Sequence, residues 1–280
     1  MRLATIRTPT GTAAVRIDGA LAVETGHDDL VELLQAERWT SVAAGADGPT
    51  HDATALAYAP VVPHPGKVIC VGVNYGAHIK EMGREPPAYP TLFAKYAEAL
   101  IGAHDDITMP AASDCLDWEA ELAVVVGATV RNADETAAAA AIAGYTILND
   151  VTARDWQYRT MQWLQGKTFE ATTPVGPHLV TADEAGDDLV LTCSIDGETV
   201  QEARTSDLVF GPAATIAYVS TILTLRPGDL IALGTPGGVG HARTPPRYLK
   251  PGEELVTSIE GLGELRNTCV SERRVAATAG

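Results

Sequence analysis

The chain has 280 residues, 46% of them apolar and 20% charged, which is enough for a substantial core in one large domain or in a large and a small one. Its 36 acidic against 20 basic side chains give a formal charge of −16, which argues against a nucleic-acid surface or an anionic membrane as partner while leaving small anions open. Cys70, Cys115, Cys193 and Cys269 are scattered without a CxxC pair, residues 1–7 lack a signal-peptide core, and no apolar run approaches the roughly 18 residues that span a bilayer; the chain reads as reduced, soluble and cytoplasmic.

Residues 1 to about 60 alternate strand-like pieces, at 3–7, 13–17 and 20–24, with Gly and polar breaks. The Asp18-Gly19 step predicts a hairpin, since both residues accept the backbone that a two-residue turn requires. Leu30, Val31, Leu33 and Leu34 form an apolar stripe that predicts a short helix over 28–37. Pro60, Pro63 and Pro65 then interrupt any helix or interior strand, so residues 58–65 read as a linker. That linker divides a small β-rich domain, 1–64, from a larger domain, 65–280.

Beyond it, residues 67–73 read as a buried strand and 74–82 as a short helix ended by Gly83 and the prolines at 86, 87 and 90. A strand at 120–127 leads into an Ala-rich helix over 135–143, capped by Asn132 or Asp134. Strands follow at 144–149, 175–181, 189–195 and 229–233, with a helix over 212–223 and a strand-rich tail over 254–270. Strands outnumber helices and do not alternate with them. The pattern argues against a Rossmann sheet or a TIM barrel and for a mostly β architecture with some α.

Asp117-Trp118-Glu119-Ala120-Glu121 stands at the head of the apolar run Leu122-Ala123-Val124-Val125-Val126. Side chains two apart on a strand share a face, so Glu119 and Glu121 emerge together and repel, which calls for a cation or a shared proton. Asp150 ends another strand-like segment. Three acidic ligands favour a hard ion, Mg²⁺ or Mn²⁺, over Zn²⁺. A turn or strand-end cap is the competing reading of Asp150. His78 and Glu81, three apart, share a helix face and can hydrogen-bond; taken alone such a pair is more often a solvated surface. The loop Gly234-Thr235-Pro236-Gly237-Gly238-Val239-Gly240 has neither the Gly-Lys-Ser/Thr ending of a Walker loop nor dinucleotide spacing, so nucleotide binding is not expected.

Together, the segments Lys67-Val68-Ile69-Cys70-Val71-Gly72-Val73-Asn74-Tyr75, His78-Ile79-Lys80-Glu81-Met82, Asp117-Trp118-Glu119-Ala120-Glu121-Leu122, Asn149-Asp150-Val151-Thr152-Ala153-Arg154-Asp155, Gly166-Lys167-Thr168-Phe169-Glu170, Thr205-Ser206-Asp207, the glycine loop and Ile259-Glu260-Gly261-Leu262-Gly263 resemble the fumarylacetoacetate hydrolase family. The match runs in order over roughly residues 66–270. The resemblance implies the mixed β-sandwich or roll of that family's C-terminal domain, here with a small N-terminal β-rich domain. It implies Glu119, Glu121 and Asp150 as ligands of Mg²⁺ or Mn²⁺. It also implies a His78–Glu81 pair activating water on a short mobile helix, and Lys167 facing a developing oxyanion. Tyr75, Arg154, Gln157 and Thr235 fall at substrate-binding positions. Without the resemblance, Lys167 reads as a surface lysine and Arg154 as a helix-surface partner of Asp155 or Glu170.

The expected activity is metal-dependent hydrolysis of the C–C bond of a small 1,3-diketo acid of acylpyruvate type, giving pyruvate and an acid. Decarboxylation or tautomerisation of a 2-oxo diacid such as oxaloacetate is the alternative, and a catalytically silent binding protein a remoter one. A homodimer is expected from the family. Tyr89, Tyr96 and Trp163 are candidates to shape the distal acyl side, and His241, following the glycine loop, is a candidate to face the pocket.

Overall fold

The computed structural model describes residues 1–81 and 85–272, without the side chains of His78 and Glu81. Residues 82–84, where the 74–82 helix was expected to end, lie outside the described residues. The N-terminal runs form a meander of β1 (Arg2–Thr8), β2 (Gly11–Asp18), β3 (Leu21–Glu24) and β4 (Thr50–Asp52). The predicted hairpin is present with its turn one residue on: Asp18 pairs with Leu21, so Gly19, whose φ is 60°, and Ala20 form the turn. Next come β5 (Val68–Gly72), β6 (Thr91–Lys95), β7 (Leu100–Ile101), β8 (Ile107–Met109) and β9 (Leu116–Asp117). The long β10 (Ala120–Val126) and β11 (Ile142–Asn149) follow, then β12 (Thr152–Ala153), β13 (Thr173–Thr181), β14 (Val190–Ile195), β15 (Glu198–Arg204), β16 (Leu230–Ala232), β17 (Glu254–Ile259) and β18 (Gly263–Ser271). The helices are short: α1 (Leu30–Gln35), α2 (Trp39–Ala44), α3 (Gly76–Glu81), α4 (Glu135–Ala140), α5 (Arg154–Gln157), α6 (Leu164–Lys167) and α7 (Pro212–Ile222).

Two sheets carry the fold. The larger runs β4-β3-β2-β1-β13-β11-β10-β16-β5-β6, with β7 beside β13, and is antiparallel except where β16 meets β5 and β13 meets β7. The smaller runs β15-β14-β17-β18-β8, and its β14, β17 and β18 lie against β10, β11 and β13. The mostly β expectation therefore holds, as an open mixed sheet under a second sheet rather than a barrel.

Alternation along β10 explains its unbroken apolar run. Leu122, Val124 and Val126 enter the core between the sheets with Leu191, Ile195, Leu255 and Leu265. Ala123 and Val125 enter a second core on the opposite face, with Leu3, Leu30, Leu33, Leu34 and Val61. A strand buried on both faces has no solvent side to mark with polar residues.

Three local expectations are corrected. The helix expected over 28–37 is the shorter α1, stopped because Ala36 is extended, and α2 is a separate helix that starts after the left-handed Arg38. The Ala-rich helix stops at Ala140 rather than 143, since the Ala141 carbonyl accepts from Gly127 N and Ile142 pairs with Val126. The proline segment is no loose tether: Val61 and Val62 are fully buried, Val61 N donates to Val175 O, and Thr5 Oγ1 donates to Val61 O. Since β1 pairs with β13, the strands of residues 1–64 lengthen the same sheet that carries β10 and β11.

Near this junction Tyr58 OH lies 3.1 Å from Nε2 of His178. Burial, reinforced by Arg2, pushes the His178 imidazole from 6.5 down to about 4. The unfolded chain thus binds more protons than the folded one between those values, and stability present above pH 6.5 is lost as pH falls toward 4. A His178→Gln protein is expected to show a flatter dependence of unfolding free energy on pH in that window, read from urea midpoints, the wild-type decline being on the order of 2–3 kcal/mol. An unchanged slope would exclude His178 as its source.

Among the described residues, no helix is long and apolar enough to cross a membrane.

Candidate active site

Pairing of β10 with β11 brings three carboxylates to one face. Glu121 stands opposite Leu148, Glu119 precedes β10 by one residue, and Asp150 follows β11, its N–H donating to Glu119 O at 2.8 Å. By the same alternation all three leave the sheet on the face of Ala123 and Leu148, away from the sandwich core. One oxygen from each lies within 4.8 Å of the others, and all three residues are buried.

Buried cations surround them. Lys95 of β6 reaches Asp150 Oδ1 at 2.6 Å, and Lys167 at the end of α6 bridges Glu119 Oε2 and Asp150 Oδ2, each at 2.7 Å. Arg154, opening α5, meets Asp117 at 2.8 Å, Glu119 at 2.6 Å and the Gln157 side-chain carbonyl at 3.0 Å. Close packing of α6 on α5 depends on Gly166, where a Cβ would collide with Gln157 N and stand 2.6 Å from Ala153 O. Asp117 ties the strand end to the glycine loop, accepting from Trp118 N, Gly240 N and His241 N as well as from Arg154.

Charge is not balanced in this cluster: Asp117, Glu119, Glu121 and Asp150 face Lys95, Arg154 and Lys167. Burial opposes ionisation of Asp150, but Lys167 and Lys95 outweigh it and hold the carboxyl below its usual range. Glu121 is on the short side. Burial, then Asp150 and Glu119, push its carboxyl well above the usual range. Among the described residues it accepts one hydrogen bond, from Gly234 N at 2.7 Å. Gly234 has a φ of 92°, and a Cβ there would stand 2.7 Å from Val71 O, so the approach requires glycine. Burial also opposes the charge on Lys167, yet Asp150 and Glu119 raise its pKa. Three converging oxygen donors, a cluster one cation short and no sulfur or imidazole among them fit a hard divalent ion.

A cavity of about 360 Å³ opens over the cluster. Glu119, Glu121, Arg154, Gln157, Lys167 and Thr235 supply its polar lining, and Val71, Phe93, Trp163 and Val239 its apolar part. Thr235 is fixed by Gln201, whose amide donates to Thr235 Oγ1 at 2.8 Å and accepts from Ala120 N. A larger, more open groove of about 760 Å³ along Asp114, Arg243 and Arg247 contains none of the clustered carboxylates.

The structure thus gathers seven of the ten residues singled out from sequence. His78 and Glu81 belong to α3, but their side chains lie outside the described residues. Tyr75 is fully buried and is not in the cavity lining; its hydroxyl has no partner among the described residues, and burial followed by Glu121 and Asp207 raises its pKa. Trp163 and His241 line the cavity, whereas Tyr89 and Tyr96 do not and are 70% and 57% exposed. Lysine 167 is no surface residue, and Arg154 pairs with Asp117 and Glu119 rather than with Asp155 or Glu170. Sequence reading missed Lys95, Gln201 and the joining role of Asp117. Lys95 and Gln201 stand in strands that were not anticipated, and nothing in their spacing marks them.

A family model for the fumarylacetoacetate (FAA) hydrolase C-terminal region matches residues 67–270. The human protein named oxaloacetate tautomerase FAHD2A, mitochondrial, is 45% identical over 213 residues, 75% of this chain and 68% of that protein. Among solved structures, fumarylacetoacetate hydrolase from the psychrophile Exiguobacterium antarcticum superposes with a TM-score of 0.87 at 31% identity, covering 97% of this chain and all of that one. Fumarylpyruvate hydrolase from Pseudomonas aeruginosa, solved with Mn²⁺ and pyruvate, gives a TM-score of 0.67 at 33% identity over 74% of this chain and 90% of that one. With the family model spanning residues 67–270 and relatives 45% and 31% identical, the chain belongs to the fumarylacetoacetate hydrolase family.

Proposed function

We propose that this protein is a divalent-metal-dependent enzyme acting on short, enolisable 2-oxo acids, and that its leading reaction is keto–enol interconversion of a 2-oxo diacid such as oxaloacetate. The observation that carries this reading is the set of three carboxylates and two buried cations, Lys167 and Arg154, converging on one small cavity. Glu119, Glu121 and Asp150 would hold Mg²⁺ or Mn²⁺. When bound, such an ion supplies Lewis-acid polarisation of a 2-oxo group and its neighbouring carboxylate.

The chain's own groups account for the rest. Lys167, whose ammonium stays charged beside two carboxylates, meets the negative charge that gathers on the 2-oxo oxygen as the C3 proton leaves. Arg154 has Nε and one terminal nitrogen committed to Asp117, Glu119 and Gln157, leaving Nη2 for a substrate carboxylate. Thr235 Oγ1 and the Gln157 amide bind the same end. His78, oriented by Glu81, takes the C3 proton, and the 2-oxo oxygen is protonated in turn, so no carbon–carbon bond changes. The catalytic groups fall within residues 65–280, with 1–64 extending the sheet, and the working assembly is a homodimer.

Tautomerisation is preferred because the human relative bears that name at 45% identity. Hydrolysis of an acylpyruvate, the first expectation from sequence, becomes the second reading. It draws on the His78–Glu81 spacing and on the likeness to a fumarylpyruvate hydrolase.

Ultraviolet absorbance separates the readings: oxaloacetate equilibration and acetylpyruvate loss are each followed with Mg²⁺, with Mn²⁺ and with chelator, alongside pyruvate release. Metal-dependent acceleration of oxaloacetate equilibration without pyruvate supports the tautomerase; acetylpyruvate loss with pyruvate moves the assignment to the hydrolase; silence on both removes the proposal. A His78→Ala protein is expected to bind metal normally by calorimetry and to lose roughly 100-fold or more in kcat. Normal turnover by that variant would remove His78 from the proton transfer.

A further inference from the structure

The rim of the cavity carries an aromatic group that the proposed reaction does not use. His241 lines the cavity, stacks on Tyr158 with ring centroids 5.3 Å apart and an interplanar angle of 33°, and brings Nδ1 to 2.9 Å from the Tyr248 hydroxyl. Its backbone N–H is tied to Asp117 Oδ2, the same carboxylate oxygen that takes Arg154 Nε. The ring is therefore held from three directions although the residue is exposed. Among the described residues, nothing hydrogen-bonds Nε2.

The remaining cations of the cavity are already engaged. Arg154 and Lys167 each contact two carboxylates, Val71, Phe93 and Val239 offer no side-chain donor, and the apolar lining adds only the Trp163 indole N–H. A polar group at the end of a substrate remote from the carboxylate cluster would lose its water there unless the rim supplies a partner. Resting on the functional reading above, we propose that His241, positioned by Tyr158 and Tyr248, is the specificity-determining residue that binds the distal carboxylate of a short 2-oxo diacid through Nε2–H. With the phenol donating to Nδ1, the ring keeps its proton on Nε2 and donates in the neutral form. A distal methyl group gains nothing from this donor.

The proposal is tested by binding, apart from turnover. Calorimetry with saturating Mg²⁺ compares 2-oxoglutarate with 2-oxopentanoate, whose chains match in length and differ at the far end in a carboxylate against a methyl. The wild type is expected to prefer the diacid by roughly 10- to 100-fold, the worth of a hydrogen bond to a charged group. His241→Phe is expected to abolish that preference while retaining affinity for 2-oxopentanoate, and Tyr248→Phe to reduce it partly. Unchanged preference in His241→Phe, equal loss for both ligands, or no preference in the wild type would overturn it. Failure of the functional reading is separate: a wild type silent towards oxaloacetate and acetylpyruvate that still discriminates the two ligands through His241 would retain the subsite and lose the reaction.

Discussion

A Glu121→Gln protein is expected to lose divalent-ion binding while becoming more stable in the absence of metal. The two effects have one cause. Glu121 is a buried carboxylate with Asp150 and Glu119 beside it and no ion-pair partner among the described residues, so its charge is held at a cost that a bound proton or an added cation removes. Its folded pKa lies above the ordinary carboxyl value, so the folded protein binds the extra proton, and metal-free stability declines as pH rises from about 4.5 through the folded value. A glutamine amide can still accept from Gly234 N, keeps nearly the same shape and removes that decline. It also supplies one anionic ligand fewer. Affinity for Mg²⁺ or Mn²⁺ should fall by at least about 100-fold, because even groups that merely orient a ligand are worth 10- to 100-fold. Calorimetric titration checks the binding, and melting curves against pH with chelator check the stability. Wild-type affinity in the variant would remove Glu121 from the ligand set; a lower metal-free melting temperature at neutral pH would mean that the cluster is not short of a cation.

Lys167→Met is expected to do the reverse to stability and to abolish turnover. Its ammonium, 2% exposed, bridges Glu119 and Asp150 at 2.7 Å each, so removal leaves Glu119 to Arg154 alone and Asp150 to Lys95 alone. Uncovering a buried ion-pair network in this way costs about 3–5 kcal/mol. A divalent ion replaces the missing charge. The melting temperature of the variant should therefore rise on adding Mg²⁺ by more than that of the wild type. In the metal-loaded protein kcat should still fall by roughly 100- to 1,000-fold, the usual effect of deleting a fixed donor to a developing oxyanion. Retained kcat would show that the lysine only balances charge; equal metal stabilisation of variant and wild type would show that it does not balance charge here.

Much of the site was legible because a strand's two-residue repeat converts spacing into direction. Glu119 and Glu121 at i and i+2 had to share a face, and the apolar residues after them had to be buried, so two carboxylates at a sheet edge followed from order alone. Arg154 and Gln157 were legible in the same way, three apart on what became the single turn of α5. Lys95 was not. It sits on the edge strand β6, with β10, β16 and β5 between it and β11, and still reaches Asp150 at 2.6 Å, a contact across the sheet that no local spacing marks. Asp117 was visible as a motif residue, but its role in joining Arg154 to the backbone of Gly240 and His241 depends on a loop more than 100 residues away.

The sequence by itself determined the mostly β class, the position of the hairpin and the existence of an oxygen-rich site at the mouths of β10 and β11, since each rests on local spacing or on ordered motifs that a fold must satisfy where they stand. Tertiary structure decided where charge is in surplus and where it is short. Whether a carboxylate is stabilised or strained depends on which cations reach it through space, and Lys95, Arg154 and Lys167 arrive from three separate elements while none reaches Glu121. Pairing of β1 with β13 likewise joined the N-terminal meander to the main sheet, a long-range contact that no local pattern encodes.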